Sequence, residues 1–178
     1  LVHIGAFVPA PEQKKKLGQI NQINVISSLK LASWSKENNK HFIFISGSIL
    51  YKNQNFKNKE NSPILKKSKN LYVNSKILSE RKLLFLSKKQ FKITVLRISS
   101  LYGFGMNKKK IIPNLIKKIS KGKNITIYNN NETEVNFIHA KDASKAILKC
   151  IKYKKLGIFN IGGKKTLNFF KIANMIKK

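Results

Sequence analysis

The sequence predicts an α/β fold in which helices cover both faces of a parallel sheet. Short apolar segments alternate along the chain with amphipathic segments of about 10 to 20 residues, which is the pattern of βαβ units. The segment Phe42-Ile43-Phe44-Ile45 is apolar throughout, as expected for a strand that is buried on both faces. With 178 residues, of which 42% are apolar, the chain is long enough for a buried core, so a disordered polycation is excluded.

The first half of the chain is predicted to hold three strands and two helices. Apolar residues recur at steps of three and four across residues 19–37, which predicts a helix after a proline-containing loop at 8–18. The other predicted elements are a strand at 1–7, a strand at 41–45, a polar loop at 52–69, a helix at 71–89 and a strand at 92–97.

The second half repeats this alternation with shorter elements. Asp142 is the expected N-cap of a helix that runs to residue 153, because its carboxylate can accept from free backbone N–H groups. The other predicted elements are a helix at 111–120, short strands at 125–128 and 135–138, a strand at 157–161 and a helix at 167–177.

The chain is strongly basic, with 37 Lys and Arg against 7 Asp and Glu and a formal net charge of +30. Such a charge points first to nucleic acid or an anionic surface as partner. Only Arg81 and Arg97 are arginines, however, and arginine is the better reader of phosphates and guanine edges. Because the lysines are scattered along the whole chain, we interpret the charge as a compositional bias and expect no specific nucleic-acid partner.

The sequence also indicates where in the cell the protein is located and whether the chain is part of a longer protein. Cys150 is the single cysteine, which excludes an intramolecular disulfide and favours the cytoplasm. No apolar run approaches the ~18 residues of a membrane span, and no His, Cys, Asp and Glu residues have metal-ligand spacing. There is no recognisable signal peptide, and Leu1 begins directly in an apolar segment without an initiator methionine, so we expect a chain cut from a longer protein.

The predicted helix at 71–89 carries the most informative pattern. Tyr72, Lys76 and Glu80 are four residues apart and therefore lie along one helix face. A tyrosine with its ordinary pKa near 10 transfers protons poorly at neutral pH. An ammonium group one turn away stabilises the phenolate, so we expect Lys76 to lower the pKa of Tyr72 and make it a general acid and base. The alternative for Glu80 is that it is only a surface partner of nearby lysines.

A second candidate feature is the end of the apolar strand at 41–45. Ser46-Gly47-Ser48 follows that strand directly, and α/β sheets bind ligands at the carboxyl ends of their strands. The sequence therefore predicts a hydroxyl at the ligand edge of the sheet.

These features, with five others in order, resemble motifs of the extended short-chain dehydrogenase/reductases, the NAD-dependent sugar epimerase/dehydratase group. The blocks, with the family motif in parentheses, are VHIGA at 2–6 (HLAA), NVISSL at 24–29 (NvxGTxxLL), SGSILY at 46–51 (SSxxvYG), YVNSK at 72–76 (YxxxK), LRISSLYG at 96–103 (LRxxnvYGpg), NFIH at 136–139 with Asp142 (RdFihVxDva), and FNIGG at 159–163 (yNigg). Their order, which spans nearly the whole chain, is more specific than any one of them.

The resemblance implies a partial Rossmann-like, doubly wound parallel sheet with part of a small C-terminal substrate-binding region. It assigns residues 1–103 to the C-terminal half of an NAD(P)-binding domain that includes the YxxxK helix. Residues 104–178 are then an incomplete mixture of substrate-binding and returning Rossmann elements.

The resemblance also implies hydride transfer between a nucleotide sugar and NAD or NADP. Tyr72 would be the general acid and base, Lys76 would tune it and hold the nicotinamide ribose, and Asn24 would support the proton network. The residues implied to contact the cofactor are Gly5, Ala6, Ser46, Tyr72, Lys76 and Ser99. Family members often form homodimers through helices that include the one carrying Tyr72.

The chain departs from the family pattern at several positions. Counted back from Tyr51, the family's catalytic Ser or Thr falls on Gly47, so the role passes to Ser46 or Ser48; we favour Ser46 because it directly ends the strand. The family's substrate-contacting Arg is Val135 here, and its Asn before the YG pair is Ser100.

The largest departure is that no G-x-x-G-x-x-G phosphate loop occurs in the sequence. We therefore expect a chain that begins near the fourth strand of the family fold and binds the cofactor weakly or not at all. The alternatives to an enzyme fragment are a non-catalytic basic binding protein and an inactive fragment.

Overall fold

A computed structural model gives the fold of the chain and describes residues 1–8, 17–54, 57–87, 91–127 and 134–177. Its strands are β1 (Val2–His3), β2 (Phe42–Gly47), β3 (Ile93–Ile98), β4 (Ser100–Tyr102), β5 (Val135–His139), β6 (Gly157–Ile161) and β7 (Thr166–Leu167). Its α-helices are α1 (Leu17–Ile20), α2 (Ser27–Glu37), α3 (Leu71–Ser87), α4 (Ile111–Ile119), α5 (Ala140–Lys152) and α6 (Phe169–Lys177). A π-helical segment, Asn21–Ile26, joins α1 to α2, and a 3₁₀ turn, Ser48–Leu50, follows β2. Strands and helices alternate as predicted, which confirms the α/β class.

The chain forms two compact units. The first unit contains Leu1–Ile98 and Leu148–Asn160, and the second contains Ser99–Ile147 and Ile161–Lys178. The main sheet has the order β1-β2-β3-β6, in which β1 pairs with β2 and β2 with β3 in parallel. This order makes β2 and β3 inner strands, which explains why their sequences are apolar almost throughout.

The core of the first unit lies between this sheet and the helices α2 and α3. Phe42, Phe44 and Val95 are fully buried in the sheet, and Ala32 and Leu83 of the two helices are buried against them. Burying each large apolar side chain of this kind stabilises the fold by about 1.5 to 3 kcal/mol. The sheet therefore provides a rigid support for the carboxyl end of β2.

The second unit is built around a smaller sheet of order β4-β5-β7. β4 and β5 are parallel, whereas β5 and β7 are antiparallel. Gly163 lies so close to β5 that a Cβ there would overlap the carbonyl oxygen of Phe137, which accounts for glycine in the FNIGG block. Leu115 of α4 and Ile172 of α6 are buried where these two helices pack.

Several sequence-based boundaries were wrong. The predicted strand at 1–7 is reduced to Val2–His3, because only these residues pair with β2. Residues 125–127 form no strand because they have no pairing partner, and Tyr128 lies outside the described residues. The short strands β4 and β7 were missed.

The helices differ from the predictions mainly at their ends. α5 begins at Ala140, so Asp142 lies in the first turn and forms an exposed ion pair with Lys145 at 3.5 Å rather than capping the helix. α3 ends at Ser87, and the predicted residues 88–89 lie outside the described part of the chain, as does much of the loop at 8–18. None of the helices in the described residues has the length and apolar character needed to cross a membrane.

Candidate active site

The helix that carries the Tyr/Lys pair begins with a side-chain cap. The Oδ1 atom of Asn70 accepts from the backbone N–H groups of Tyr72 at 2.9 Å and Val73 at 3.2 Å. These bonds satisfy two of the four N–H groups that the first turn of a helix leaves free. The cap fixes where α3 starts and therefore which residues share a face.

Lys76 points from α3 into the sheet. Its side chain is only 4% exposed, and its Nζ donates to the carbonyl oxygen of Ile45 at 2.8 Å. β1 pairs with β2 only as far as Phe44. The Ile45 carbonyl is therefore the first one beyond the part of β2 that pairs with β1. The ammonium group also lies 4.6 Å from the centre of the Phe44 ring, a favourable cation–π distance. Burial lowers the pKa of Lys76 from 10.5 to about 8, so the group remains mostly cationic at neutral pH.

Tyr72 lies one turn before Lys76 and is partly buried beside the cluster of Leu50, Val73 and Ile77. Burial raises the pKa of the Tyr72 phenol. The expected lowering by Lys76 is therefore not present, because the lysine ammonium is directed at the Ile45 carbonyl and the phenol is desolvated. Among the described residues, no group forms a hydrogen bond with the Tyr72 hydroxyl.

The two serines at the end of β2 have different environments. Ser46 is buried, and its hydroxyl donates to Oε2 of Glu80 at 2.7 Å. Ser48 opens the 3₁₀ turn after β2 and is half-buried, and its hydroxyl has no hydrogen-bond partner in the described part of the chain. Ser46 is therefore held within the protein, whereas the Ser48 hydroxyl is unengaged.

Glu80 is not a surface residue. It is fully buried on α3 and forms an ion pair with Arg97 of β3, whose Nε lies 3.0 Å from Oε1. A second guanidinium nitrogen of Arg97 also contacts Oε1. The remaining Arg97 nitrogen donates to the Tyr51 hydroxyl and to the carbonyl oxygen of Glu60, each at 2.9 Å. The alternative of a surface partner for lysines is therefore wrong.

The same polar cluster reaches the last strand of the sheet. The Tyr51 hydroxyl donates to Oδ1 of Asn160 at 2.6 Å. The Asn160 amide donates to the carbonyl oxygen of Asn58 at 2.9 Å, and its backbone N–H donates to the Glu60 carboxylate at 2.9 Å. The loop that follows β2 is thus tied to β6 by the side chains of Tyr51, Glu60 and Asn160.

Asn24 lies in the π-helical segment and is 1% exposed. Its Oδ1 accepts from the N–H of Phe7 at 2.7 Å, and its Nδ2 donates to the Phe7 carbonyl oxygen and to Ser75 Oγ, both at 2.9 Å. Its own carbonyl oxygen accepts from the hydroxyls of Ser28 and Ser79. Asn24 therefore fixes the backbone that follows Gly5 and links it to α3.

The remaining predicted cofactor contacts lie in two places. Gly5 is exposed and Ala6 half-buried, both just beyond the paired part of β1. A Cβ at Gly5 would approach only the His3 ring, at 3.8 Å. Ser99 belongs to the second unit, where its buried hydroxyl has no partner among the described residues.

His3 makes contacts within the core of the first unit. Its Nε2 lies 2.8 Å from Ser28 Oγ, and its ring lies against Phe42 and Phe44. Burial, and secondly the charge of Lys76, lower the pKa of His3, so the ring is neutral at neutral pH.

The structure thus brings together residues from four segments of the sequence: Asn24, the end of β2, the first turns of α3, and Arg97. Sequence analysis identified the Tyr/Lys pair and the strand-end serines but missed the buried cluster of Glu80, Arg97, Tyr51 and Asn160. The available signal was that Glu80 follows Lys76 by one turn, on the helix face that also carries Tyr72. No group of three or more His, Cys, Asp or Glu in the described residues is placed to hold a metal ion.

Comparison with solved structures gives close matches to sugar-nucleotide enzymes. The chain superposes on UDP-N-acetylglucosamine 4-epimerase from Bacillus cereus with a TM-score of 0.86 and 27% identity, covering 99% of this chain and 60% of that one. UDP-N-acetylglucosamine 4-epimerase from Methanobrevibacter ruminantium M1, in complex with UDP-N-acetylmuramic acid, gives 0.86 and 25%, with 98% and 58% covered. UDP-glucuronic acid 4-epimerase from Bacillus cereus in complex with NAD gives 0.83 and 24%, with 99% and 58% covered, and supports the fold alone. The chain therefore spans about 60% of the length of these proteins.

A search of curated proteins finds no match for the chain. The model of the NAD dependent epimerase/dehydratase family, in contrast, matches residues 1–162. This match includes β2, α3, β3 and the polar residues that they bring together. By sequence and by fold, the chain belongs to the NAD dependent epimerase/dehydratase family.

Proposed function

We propose that the chain is the catalytic part of an NAD(P)-dependent oxidoreductase of the epimerase/dehydratase type that acts on a nucleotide sugar in the cytoplasm. The observation that carries this proposal is the pair of Tyr72 and Lys76, one turn apart on α3, with the lysine bonded to the carboxyl end of β2. Sheets of this type bind ligands at that edge. Two of the similar solved structures are epimerases of UDP-N-acetylglucosamine, which supports a nucleotide sugar as the substrate class.

Tyr72 is proposed as the general acid and base. Its hydroxyl is unengaged, and its raised pKa keeps it protonated at neutral pH, the form that donates a proton to a sugar oxygen. The reverse step, in which Tyr72 accepts a proton from a sugar hydroxyl, requires a nearby positive charge to lower its pKa. In the structure the Lys76 ammonium group is directed at the Ile45 carbonyl and does not lower the Tyr72 pKa, so Lys76 is proposed to supply this charge only when substrate and cofactor are bound.

Lys76 is also proposed to hold the nicotinamide ribose. An ammonium group has three N–H donors, and the Ile45 carbonyl occupies one of them. The other two have no hydrogen-bond acceptor among the described residues, and we propose that they bind ribose hydroxyls. The bond to Ile45 keeps the long side chain in one orientation, which reduces the entropy lost on binding.

A hydroxyl at the end of β2 is proposed to orient the reacting sugar oxygen. Both Ser46 and Ser48 are candidates, and the bond from Ser46 to buried Glu80 favours Ser48 for direct contact with substrate. Asn24 is proposed to support the proton-transfer residues indirectly, because it binds Ser75 on α3 and the backbone after Ala6.

The residues that the chain has fit the nicotinamide end of NAD or NADP. Gly5 presents no side chain at the ligand edge, and Lys76 supplies a fixed donor. When bound, the nicotinamide ring would exchange a hydride with the sugar carbon. One of the similar structures contains NAD.

Substitution of Tyr72 tests this proposal. The chain is supplied with saturating NAD or NADP and a panel of UDP- and dTDP-sugars, and products are identified by NMR. Tyr72→Phe should lower turnover by about a hundredfold or more, the usual contribution of a general acid and base. Tyr153→Phe, which alters an exposed tyrosine at the end of α5, is the matched control and should retain full turnover.

Equal turnover in the wild type and Tyr72→Phe would refute the role of Tyr72. If no sugar in the panel is turned over even at saturating cofactor, the non-catalytic alternatives gain support instead.

A further inference from the structure

α3 is joined to the end of β2 at two successive turns. Lys76 Nζ donates to the Ile45 carbonyl oxygen at 2.8 Å, and one turn later Glu80 Oε2 accepts from Ser46 Oγ at 2.7 Å. Ile45 and Ser46 are neighbours in the strand, so the two bonds run from adjacent helix turns to adjacent strand residues. On the same helix, Ser75 accepts from the Asn24 side chain and Ser79 donates to the Asn24 carbonyl oxygen, so these bonds go to the π-helical segment and not to β2.

The hydrogen bond between Ser46 and Glu80 is held in place by the buried ion pair of Glu80 with Arg97. The Glu80 side chain is 0% exposed and its partner Arg97 is 4% exposed, so the ion pair is shielded from water. Arg97 contacts Glu80 through two nitrogens and is itself held by Tyr51 and by the Glu60 carbonyl oxygen. A buried ion pair of this kind adds little net stability compared with apolar side chains of similar size, but it specifies one arrangement of its neighbours.

The bond from Lys76 alone ties α3 to β2 at a single point. A second bond one turn away also fixes the rotation and the register of the helix against β2, because a helix that shifts by one residue rotates its side chains by about 100° and advances about 1.5 Å. We propose that Glu80, anchored by Arg97, is a positioning residue: it fixes α3 against the carboxyl end of β2 and thereby sets the place of Tyr72 and Lys76 at the ligand edge. This inference rests on the proposed function for the roles of those two residues.

The test uses the contact between Lys76 and Ile45 as its readout. A buried, hydrogen-bonded ammonium group exchanges its protons slowly and gives a separate ¹⁵N–¹H NMR signal, which Lys76→Arg would assign. Glu80→Gln keeps the size of the side chain and removes its charge. We expect Glu80→Gln to unfold cooperatively but to lose the Lys76 signal, because α3 is no longer fixed at the second joint.

Glu60→Gln is the matched control. It alters a carboxylate that bonds to Asn160 in the same polar cluster but does not touch α3, so the Lys76 signal should remain. Retention of the Lys76 signal in folded Glu80→Gln would overturn the proposal, as would its loss in folded Glu60→Gln.

If Glu80→Gln does not unfold cooperatively, the Lys76 signal is measured in the Ser46→Ala variant instead. That variant removes the bond between Ser46 and Glu80 and leaves the ion pair with Arg97 intact. Loss of the Lys76 signal supports the proposal, and an unchanged signal overturns it. The readout needs neither cofactor nor sugar, so a failure of the proposed function would appear in the turnover assay and not here.

Discussion

The buried ammonium group of Lys76 makes the stability of the fold depend on pH. Its pKa is about 8 in the folded chain and near 10.5 when unfolded. Between these values the unfolded chain holds a proton that the folded chain has released, so raising the pH through this window favours the folded state. Below about pH 8 the full cost of burying the charge is present. The gain across the window is roughly 3 kcal/mol.

We predict that Lys76→Met abolishes this gain. Urea unfolding at a series of pH values from neutral to above 10 gives the free energy of unfolding of both proteins, and the wild type should gain stability relative to the variant as pH rises. Lys82→Met, an exposed lysine on the same helix, is the control and should follow the wild-type curve. Parallel curves for the wild type and Lys76→Met would show that Lys76 titrates normally.

The serines at the end of β2 should differ in what they contribute to stability. Ser46→Ala removes the donor to Glu80 Oε2 in a buried site, which should cost about 1 to 3 kcal/mol. Ser48→Ala removes a hydroxyl without a partner in the described residues and should change stability by less than about 0.5 kcal/mol. Urea unfolding measures both. If Ser48→Ala is the more destabilised variant, the environments described for the two hydroxyls are incorrect.

The sequence was sufficient to predict that Tyr72 and Lys76 lie one turn apart on a helix, because their spacing matches the helical period. It was not sufficient to establish the ionisation of the Tyr72 phenol, since the pKa depends on burial and on where Lys76 points. The ion-pair partner of Glu80 could not be predicted either, because Arg97 lies on a separate strand. Local patterns show which residues share a helix face but not which strand that face contacts.

The start of α3 depends on Asn70, whose side chain accepts from two backbone N–H groups. Asn70→Ala should destabilise the fold by about 1 kcal/mol, as expected for the loss of an N-cap. Asn70→Ser retains a capping oxygen and should restore most of the loss. Thermal unfolding followed by circular dichroism measures both variants. An Asn70→Ala variant as stable as the wild type would indicate that packing of Val73 and Ile77 alone determines where the helix begins.

Among the larger elements, β2 and β3 were predicted to within two residues at each end, because their apolar runs are continuous, and α3 begins at the predicted residue 71. The π-helical segment Asn21–Ile26 was not predicted, since it depends on contacts of Asn24 with Phe7, Ser75 and Ser79 from distant parts of the chain. β4 and β7 have only three and two residues, too few for a periodic pattern. Whether such short segments form strands depends on the neighbouring strand with which they pair.

The net charge of +30 is the property of the chain as a whole that the family membership does not explain. Both arginines are engaged with protein atoms: Arg97 is buried against Glu80, and Arg81 donates to the carbonyl oxygens of Leu65 and Lys66 at 3.1 and 3.3 Å. Apart from Arg81, the exposed positive charge is therefore carried by lysines, which attract phosphates as point charges but do not read base edges as arginine does.

From this we predict that the chain binds single-stranded RNA without sequence preference. If about six phosphates are contacted, affinity should fall by about a hundredfold or more between ~50 mM and ~200 mM salt. Fluorescence anisotropy with a mixed-sequence RNA and with polyuridine of equal length should give the same affinity at each salt concentration. Arg81→Lys, which retains the charge and alters the one exposed arginine, should leave both values unchanged. A clear preference for one sequence, or binding that persists at high salt, would mean that the lysines form a specific nucleic-acid site rather than a compositional background on an enzyme fold.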